Sequence, residues 1–213
     1  MPINPSAGTR FSLYCKLTKR RLPRPRNIRK RRKLADFDFR NIEMALLEIV
    51  TYPNPVLETP GEPVTVFDEK LKKLVADMFE TMDAASGVGL AAPQVGVSRR
   101  LFVMDCSGGR DPEQRVALIN PEVLTVEGDQ TGDEGCLSFP GVFFPVKRSL
   151  RAVVRAQDVT GETFELDGMD LTARCMLHET DHCDGIVFID HTTVLKREMV
   201  KRKMRRLAKM AKM

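Results

Sequence analysis

His178-Glu179-Thr180-Asp181-His182 is the stretch on which the reading of this 213-residue chain turns. On an α-helix, side chains four positions apart stand one above the other. His178 and His182 can therefore share one divalent cation while Glu179 reaches a water beside it. These are two of only three histidines in the chain, which argues against two solvated side chains placed by chance. An open hydrolytic metal site usually takes three protein ligands and leaves the fourth position to water, so a third donor has to be sought.

Downstream completions fail. Gly185 stands where one zinc-protease pattern wants glycine, but the third histidine of that pattern would fall on Phe188, and His191 comes later. A downstream glutamate is the other usual solution, yet Glu198 sits among lysines and arginines. Upstream, Glu134-Gly135-Cys136-Leu137-Ser138 offers a thiolate and a Cys/His/His set. Cys175 is a rival donor on the same helix face as His178 and His182, although it equally suits a small buried residue lining a pocket. Cys183 points about 100° away from His182 and reads as packing. Cys15 and Cys106 carry no signal.

A third segment, Gly87-Val88-Gly89-Leu90-Ala91-Ala92-Pro93-Gln94, is built of small residues that let another backbone approach. A glutamine aimed from it could donate a hydrogen bond to a developing oxyanion. The segment lacks the third glycine of a dinucleotide fingerprint, and no phosphate-binding Gly-x-x-x-x-Gly-Lys pattern exists, so a nucleotide cofactor is not expected.

Around these segments the chain reads as α+β. Asp68 caps a helix in which Leu71, Leu74, Val75, Met78, Phe79 and Met82 follow helical spacing to Gly87. Strands are expected at 100–105, 116–119 (stopped by Asn120-Pro121), 123–126, 142–146, 151–157 and 163–166. A second helix runs from near Asp170 through His182, and a third from about Val194 to the end. Pro53, Pro55, Pro60 and Pro63 predict short extended pieces before the first helix. The order helix, strands, helix disfavours an alternating parallel sheet.

Composition bounds the rest: 42% hydrophobic and 30% charged residues describe a globular chain, and no apolar run is long enough to span a membrane. Five cysteines, an odd number in a chain of this length, favour a reducing compartment. Net charge is +10 over residues 1–43, −13 over 44–195 and +8 over 196–213. Basic ends on an acidic body suit a polyanionic partner, or merely solvated termini. The first 35 residues hold 12 Lys/Arg, no acid and four prolines. They suit a disordered arm or an organellar transit peptide, and Met44 is an alternative start.

The three segments together resemble one family closely, the peptide deformylases. Its motifs Gly-φ-Gly-φ-Ala-Ala-x-Gln (φ apolar), Glu-Gly-Cys-x-Ser and His-Glu-x-x-His stand at 87–94, 134–138 and 178–182. The resemblance spans about residues 45–195, and Cys136-Leu137-Ser138-Phe139-Pro140-Gly141 looks like the bacterial branch. It implies short β-sheets around a central helix carrying His-Glu-x-x-His, with a C-terminal helix. Three parts follow: a basic extension 1–43, a catalytic domain 44–195 and a basic tail 196–213.

By the same resemblance, Cys136, His178 and His182 hold Fe(II) or Zn(II), and Glu179 relays protons. Gln94 and the Leu137 N–H stabilise the oxyanion. Backbone from Val88, Gly89 and the segment Glu134, Gly135 to Leu137 meets a formyl-methionyl peptide whose side chain enters a pocket lined by Leu171 and Cys175. The tail resembles a ribosome-docking extension, and the expected compartment is a bacterial cytoplasm, or an organelle if residues 1–43 are a transit peptide. Two other readings remain at this stage: a His-Glu-x-x-His endopeptidase indifferent to Cys136, and a ribosome- or nucleic-acid-binding protein with an inactive core.

Overall fold

The computed structural model describes residues 45–210. The basic extension 1–43, the alternative start at Met44, and residues 211–213 lie outside the described residues. No helix among those described is long and apolar enough to cross a membrane.

Helix α1 (Glu69–Ala84) begins where the sequence predicts: the Asp68 side chain accepts from Leu71 N at 3.0 Å, a cap of about 1 kcal/mol. It ends at Ala84 rather than at Gly87, whose N–H turns back to Met82 O. A five-stranded antiparallel sheet follows, in the order β1 (Gly89–Ala91), β2 (Leu101–Asp105), β3 (Arg115–Glu127), β6 (Arg151–Gln157), β7 (Thr163–Met169). Strands β4 (Gln130–Gly135) and β5 (Phe143–Arg148) form a separate two-stranded ribbon. Helix α2 (Leu171–Cys183) carries His178-Glu179-Thr180-Asp181-His182, and α3 (Val194–Met210) closes the described chain.

The apolar run of β2 shows why the layers stack as they do. Leu101 and Val103 join Leu71, Val75, Met78, Phe79 and Met82 of α1 in one core. Phe102 and Met104 point the other way and pack with Ala173, Cys175 and Met176 of α2. A strand covered on both faces reads as a continuous hydrophobic run, and each such buried side chain contributes about 1.5–3 kcal/mol. A third core joins Phe139, Phe144 and Val146 to Tyr52, Phe188 and Met204 of α3, tying the ribbon to the C-terminal helix.

Two expectations are corrected. The strand expected to stop at Asn120-Pro121 continues as β3 to Glu127. Asn120 takes a positive φ of 52° and the pairing with β6 shifts register there, so the proline rides on a bulge. The proline-rich entry is not simply extended: Pro55–Glu58 forms a 3-10 turn, with the Asn54 side chain accepting from Val56 N at 3.1 Å. Strand β1 was not anticipated; three residues are too few to show a period.

Candidate active site

Three backbone segments converge on one face of α2. Gly168, at the end of β7, makes this possible, because a Cβ there would lie 2.6 Å from Met176 Cε and 2.7 Å from Thr172 Cγ2. Gly89 does the same for β1: a Cβ would meet Glu179 Oε1 at 2.5 Å and Cys175 Sγ at 2.8 Å. The β1 backbone thus lies directly against the side chains of α2.

Cys136 follows β4 and brings its thiol to the helix. Its Sγ is 3.2 Å from His182 Nε2, and the donor atoms of Cys136, His178 and His182 all lie within 4.8 Å of one another. A tetrahedral ion with ordinary metal–sulfur and metal–nitrogen bonds separates such donors by about 3.3–3.6 Å, so the set fits a divalent cation with little adjustment. The chemistry of the set agrees. Burial alone would lower the His178 pKa, but hydrogen bonds to Cys136 and Glu134 and the Glu179 charge raise it well above its usual value. Burial, and the His178 charge beside it, push His182 down to about 3. Cys175, the rival donor, is not part of this group; its thiol donates to Val88 O at 3.4 Å.

Glu179 is buried beside His178, and its Oε2 has no hydrogen-bond partner among the described residues. Burial raises its carboxyl to about 7, opposed by the His178 charge. Gln94, in the 3-10 turn Ala92–Val95 that follows β1, is held by that strand's last residue: Ala91 N donates to Oε1 at 2.8 Å, which turns Nε2 toward Cys136 Sγ at 3.4 Å. The amide therefore presents its donor to the site.

What the sequence did not disclose is the shell behind the donors. Glu134 Oε2 lies 3.1 Å from His178 Nδ1, Arg148 grips both oxygens at 2.9 and 3.1 Å, and Arg174 Nη1 adds a contact to Oε1 at 2.8 Å. Burial opposes this charge, but His178 and Arg148 hold the carboxyl far below its usual value. The Glu134 side chain is thereby committed inward, and only its backbone is left to offer a ligand. Arg148 also reaches Asp181 at 2.6 Å and His191 Nε2 at 3.1 Å. A period-2 signal existed: Phe144, Val146 and Arg148 alternate inward along β5, which puts an arginine on a core face.

The remaining expected residues lie around this centre. Val88 is 41% and Leu171 36% exposed at the rim, whereas Gly89 and Cys175 are buried. Asp105 N donates to Val88 O at 2.9 Å, so that carbonyl is already taken. Antiparallel alternation then turns the Gly89 N–H and C=O to the open edge of β1. Gly135 pairs with Phe143 and Leu137 is half-buried against the first core. Phe188 fills core rather than ligating, its ring 6.0 Å from that of His178.

The polypeptide deformylase family matches residues 46–198. A peptide deformylase of Acidobacterium capsulatum is 49% identical over 164 residues, covering 77% of this chain and 96% of that protein. Among solved structures, a peptide deformylase from Legionella pneumophila superposes with a TM-score of 0.72 at 41% identity, covering 78% of this chain and 98% of the other. Peptide deformylase 1B of Arabidopsis thaliana, in complex with an inhibitor, gives 0.72 at 37% identity, covering 78% and 92%.

Proposed function

Because the chain belongs to the polypeptide deformylase family, and is thus a metal-dependent hydrolase that removes the N-formyl group from new polypeptides, we propose that Cys136, His178 and His182 hold its ion and that Glu179 moves the protons. The observation that carries this is the convergence of the three donors within 4.8 Å beside a buried carboxylate oxygen with no partner among the described residues. Fe(II) and Zn(II) both suit a thiolate and two imidazoles. When bound, the ion supplies Lewis acidity, lowering the pKa of a water toward about 7 and drawing charge from a carbonyl oxygen.

Hydrolysis of a formamide needs a proton taken from the attacking water and one given to the departing amine. Glu179 is placed for both, and its burial keeps the carboxyl from competing solvent. Gln94 Nε2 and the Leu137 N–H donate to the formyl oxygen as it gains charge. The substrate lies extended along β1 and β4, each of which is paired on one side only among the described strands. Gly89 contributes N–H and C=O; Glu134 and Gly135 contribute backbone from the other edge; Val88 contributes its exposed side chain. Leu171 and Cys175, on consecutive turns of α2, line the methionine pocket.

The basic tail docks the enzyme on the ribosome in this reading. Arg202, Arg206 and Lys209 are exposed on α3, while Met204 is buried and Lys201 pairs with Glu58, so one face anchors the helix and the other offers charge to phosphates. In this reading the enzyme works where translation runs, in a bacterial cytoplasm, or in an organelle if residues 1–43 are a transit peptide.

Cobalt substitution tests the donor set: a thiolate-to-cobalt absorption in the wild type that vanishes in Cys136→Ser supports it, and an unchanged spectrum rejects it.

A further inference from the structure

The reaction as proposed uses one thiol, Cys136, yet the fold brings two others together. Cys106 directly follows β2, at the point where Asp105 N donates to Val88 O at 2.9 Å. The Cys175 thiol donates to the same carbonyl at 3.4 Å. Cys106 Sγ in turn lies 4.0 Å from Leu171 O, the carbonyl one turn before Cys175 on α2. Cys106 packs against the apolar cluster that contains Cys175, and it is first among the groups that raise the Cys175 thiol well above its usual value. Their access differs: Cys175 is buried and Cys106 is half-exposed. An oxidant from solvent reaches one sulfur, and the second waits behind it, as in pairs of attacking and resolving cysteines.

We propose that Cys106 and Cys175 are a modification site, joined in a reversible disulfide when the protein meets a hydroperoxide, and that this bond deforms the pocket for the methionine side chain. The first half stands on the placement of the two thiols between Val88 O and the start of α2 and on their unequal exposure; the second rests on the assignment of Cys175 to that pocket.

The Cys106 sulfur, as thiolate, attacks a peroxide oxygen. An S–O bond forms, the O–O bond breaks, and the departing hydroxide takes a proton and leaves as water. Cys106 is then a sulfenic acid, oxidised by two electrons, and the peroxide is reduced. The Cys175 sulfur attacks the Cys106 sulfur, the S–S bond forms and the S–O bond breaks. The proton of the Cys175 thiol leaves with the second hydroxide as water. The half-exposed Cys106 is the attacker because a peroxide from solvent reaches it first, and the buried Cys175 resolves. Closing the bond to about 2.05 Å draws the Cys175 sulfur off Val88 O, and so moves the wall that faces Gly89.

The experiment uses the full chain loaded with zinc, which has no redox chemistry of its own and keeps Cys136 engaged. The protein is exposed to hydrogen peroxide, alkylated without reduction, digested and mapped by mass spectrometry. The expected result is a peptide pair joining Cys106 to Cys175, lost on treatment with dithiothreitol, together with a several-fold, reversible rise in KM for formyl-Met-Ala-Ser. Cys106→Ser keeps the reduced enzyme's activity and shows no such rise. Sulfinic acid on Cys106 with Cys175 left as a free thiol, or both thiols unchanged under peroxide that oxidises glutathione, overturns the site. A mapped disulfide with unchanged KM overturns the pocket effect alone. A reduced protein that releases no formate fails the functional reading, while the peptide map still decides the thiol pair.

Discussion

Glu134 Oε2 sits 3.1 Å from Nδ1 of His178, which fixes the ring so that Nε2 faces the donor cluster with Cys136 and His182. A carboxylate behind a ligating imidazole sets its tautomer and strengthens it as a donor, and loss of such a partner typically costs about 10–100-fold in metal affinity. Glu134→Gln is therefore expected to weaken metal binding by about that factor while the protein stays folded, as read by competition with a chelator.

Arg148 neutralises two acids, the buried Glu134 and the half-buried Asp181, at 2.9 and 2.6 Å. Arg148→Met removes a cation that the two acids share, and breaking a buried pair from one side costs about 3–5 kcal/mol in urea unfolding. Arg148→Lys recovers only part, because an ammonium cannot make the two parallel bonds to Glu134.

The same acids set the response to acid. Both carboxyls are held below their usual values of 4.5 and 3.8, Glu134 by His178 and Arg148 and Asp181 by His191 and Arg148, against the effect of burial. A depressed carboxyl contributes stability that is complete above the unfolded value and is lost as pH falls toward the folded one. The difference in urea midpoint between wild type and Arg148→Met should accordingly hold from pH 7 to about 5 and narrow below that.

Gly89→Ala would drive a methyl to 2.5 Å from Glu179 Oε1. Overpacking of this kind costs about 1–3 kcal/mol of stability, but the displaced carboxylate should lower kcat by more than the stability loss suggests. Formate release measured well below the melting temperature, with metal content matched, checks it.

Gln94→Leu removes the amide that, in the proposed function, donates to the formyl oxygen, and keeps the bulk. The expected loss is about 100–1000-fold in kcat with metal retained, compared by steady-state kinetics on a formyl-methionyl peptide.

The two histidines were legible because helical spacing is a local signal; Cys136 was told from its rival Cys175 only by the resemblance, and the fold brings its sulfur within 4.8 Å of the histidine donors. Helix α1 and strand β6 were legible for the same reason, since capping and periodicity act over a few residues. Arg148 and Arg174 were not, because they meet Glu134 only after β4, β5 and α2 have packed. Asn120 shows the converse. Its pairing with proline reads as a stop, but its side chain bonds both the N–H and C=O of Val64 at 2.8 Å, a tertiary contact that holds the bulge in place. Cys106 gave no signal for a similar reason: its neighbour comes from another element.

The central claim is that Glu179 moves protons at an ion held by Cys136, His178 and His182. The most direct measurement is formate release from formyl-Met-Ala-Ser by Glu179→Ala beside the wild type, both purified without oxygen and assayed for bound metal. The account predicts that the variant keeps one equivalent of metal and loses nearly all activity. A metal-loaded Glu179→Ala that releases formate at the wild-type rate would contradict it.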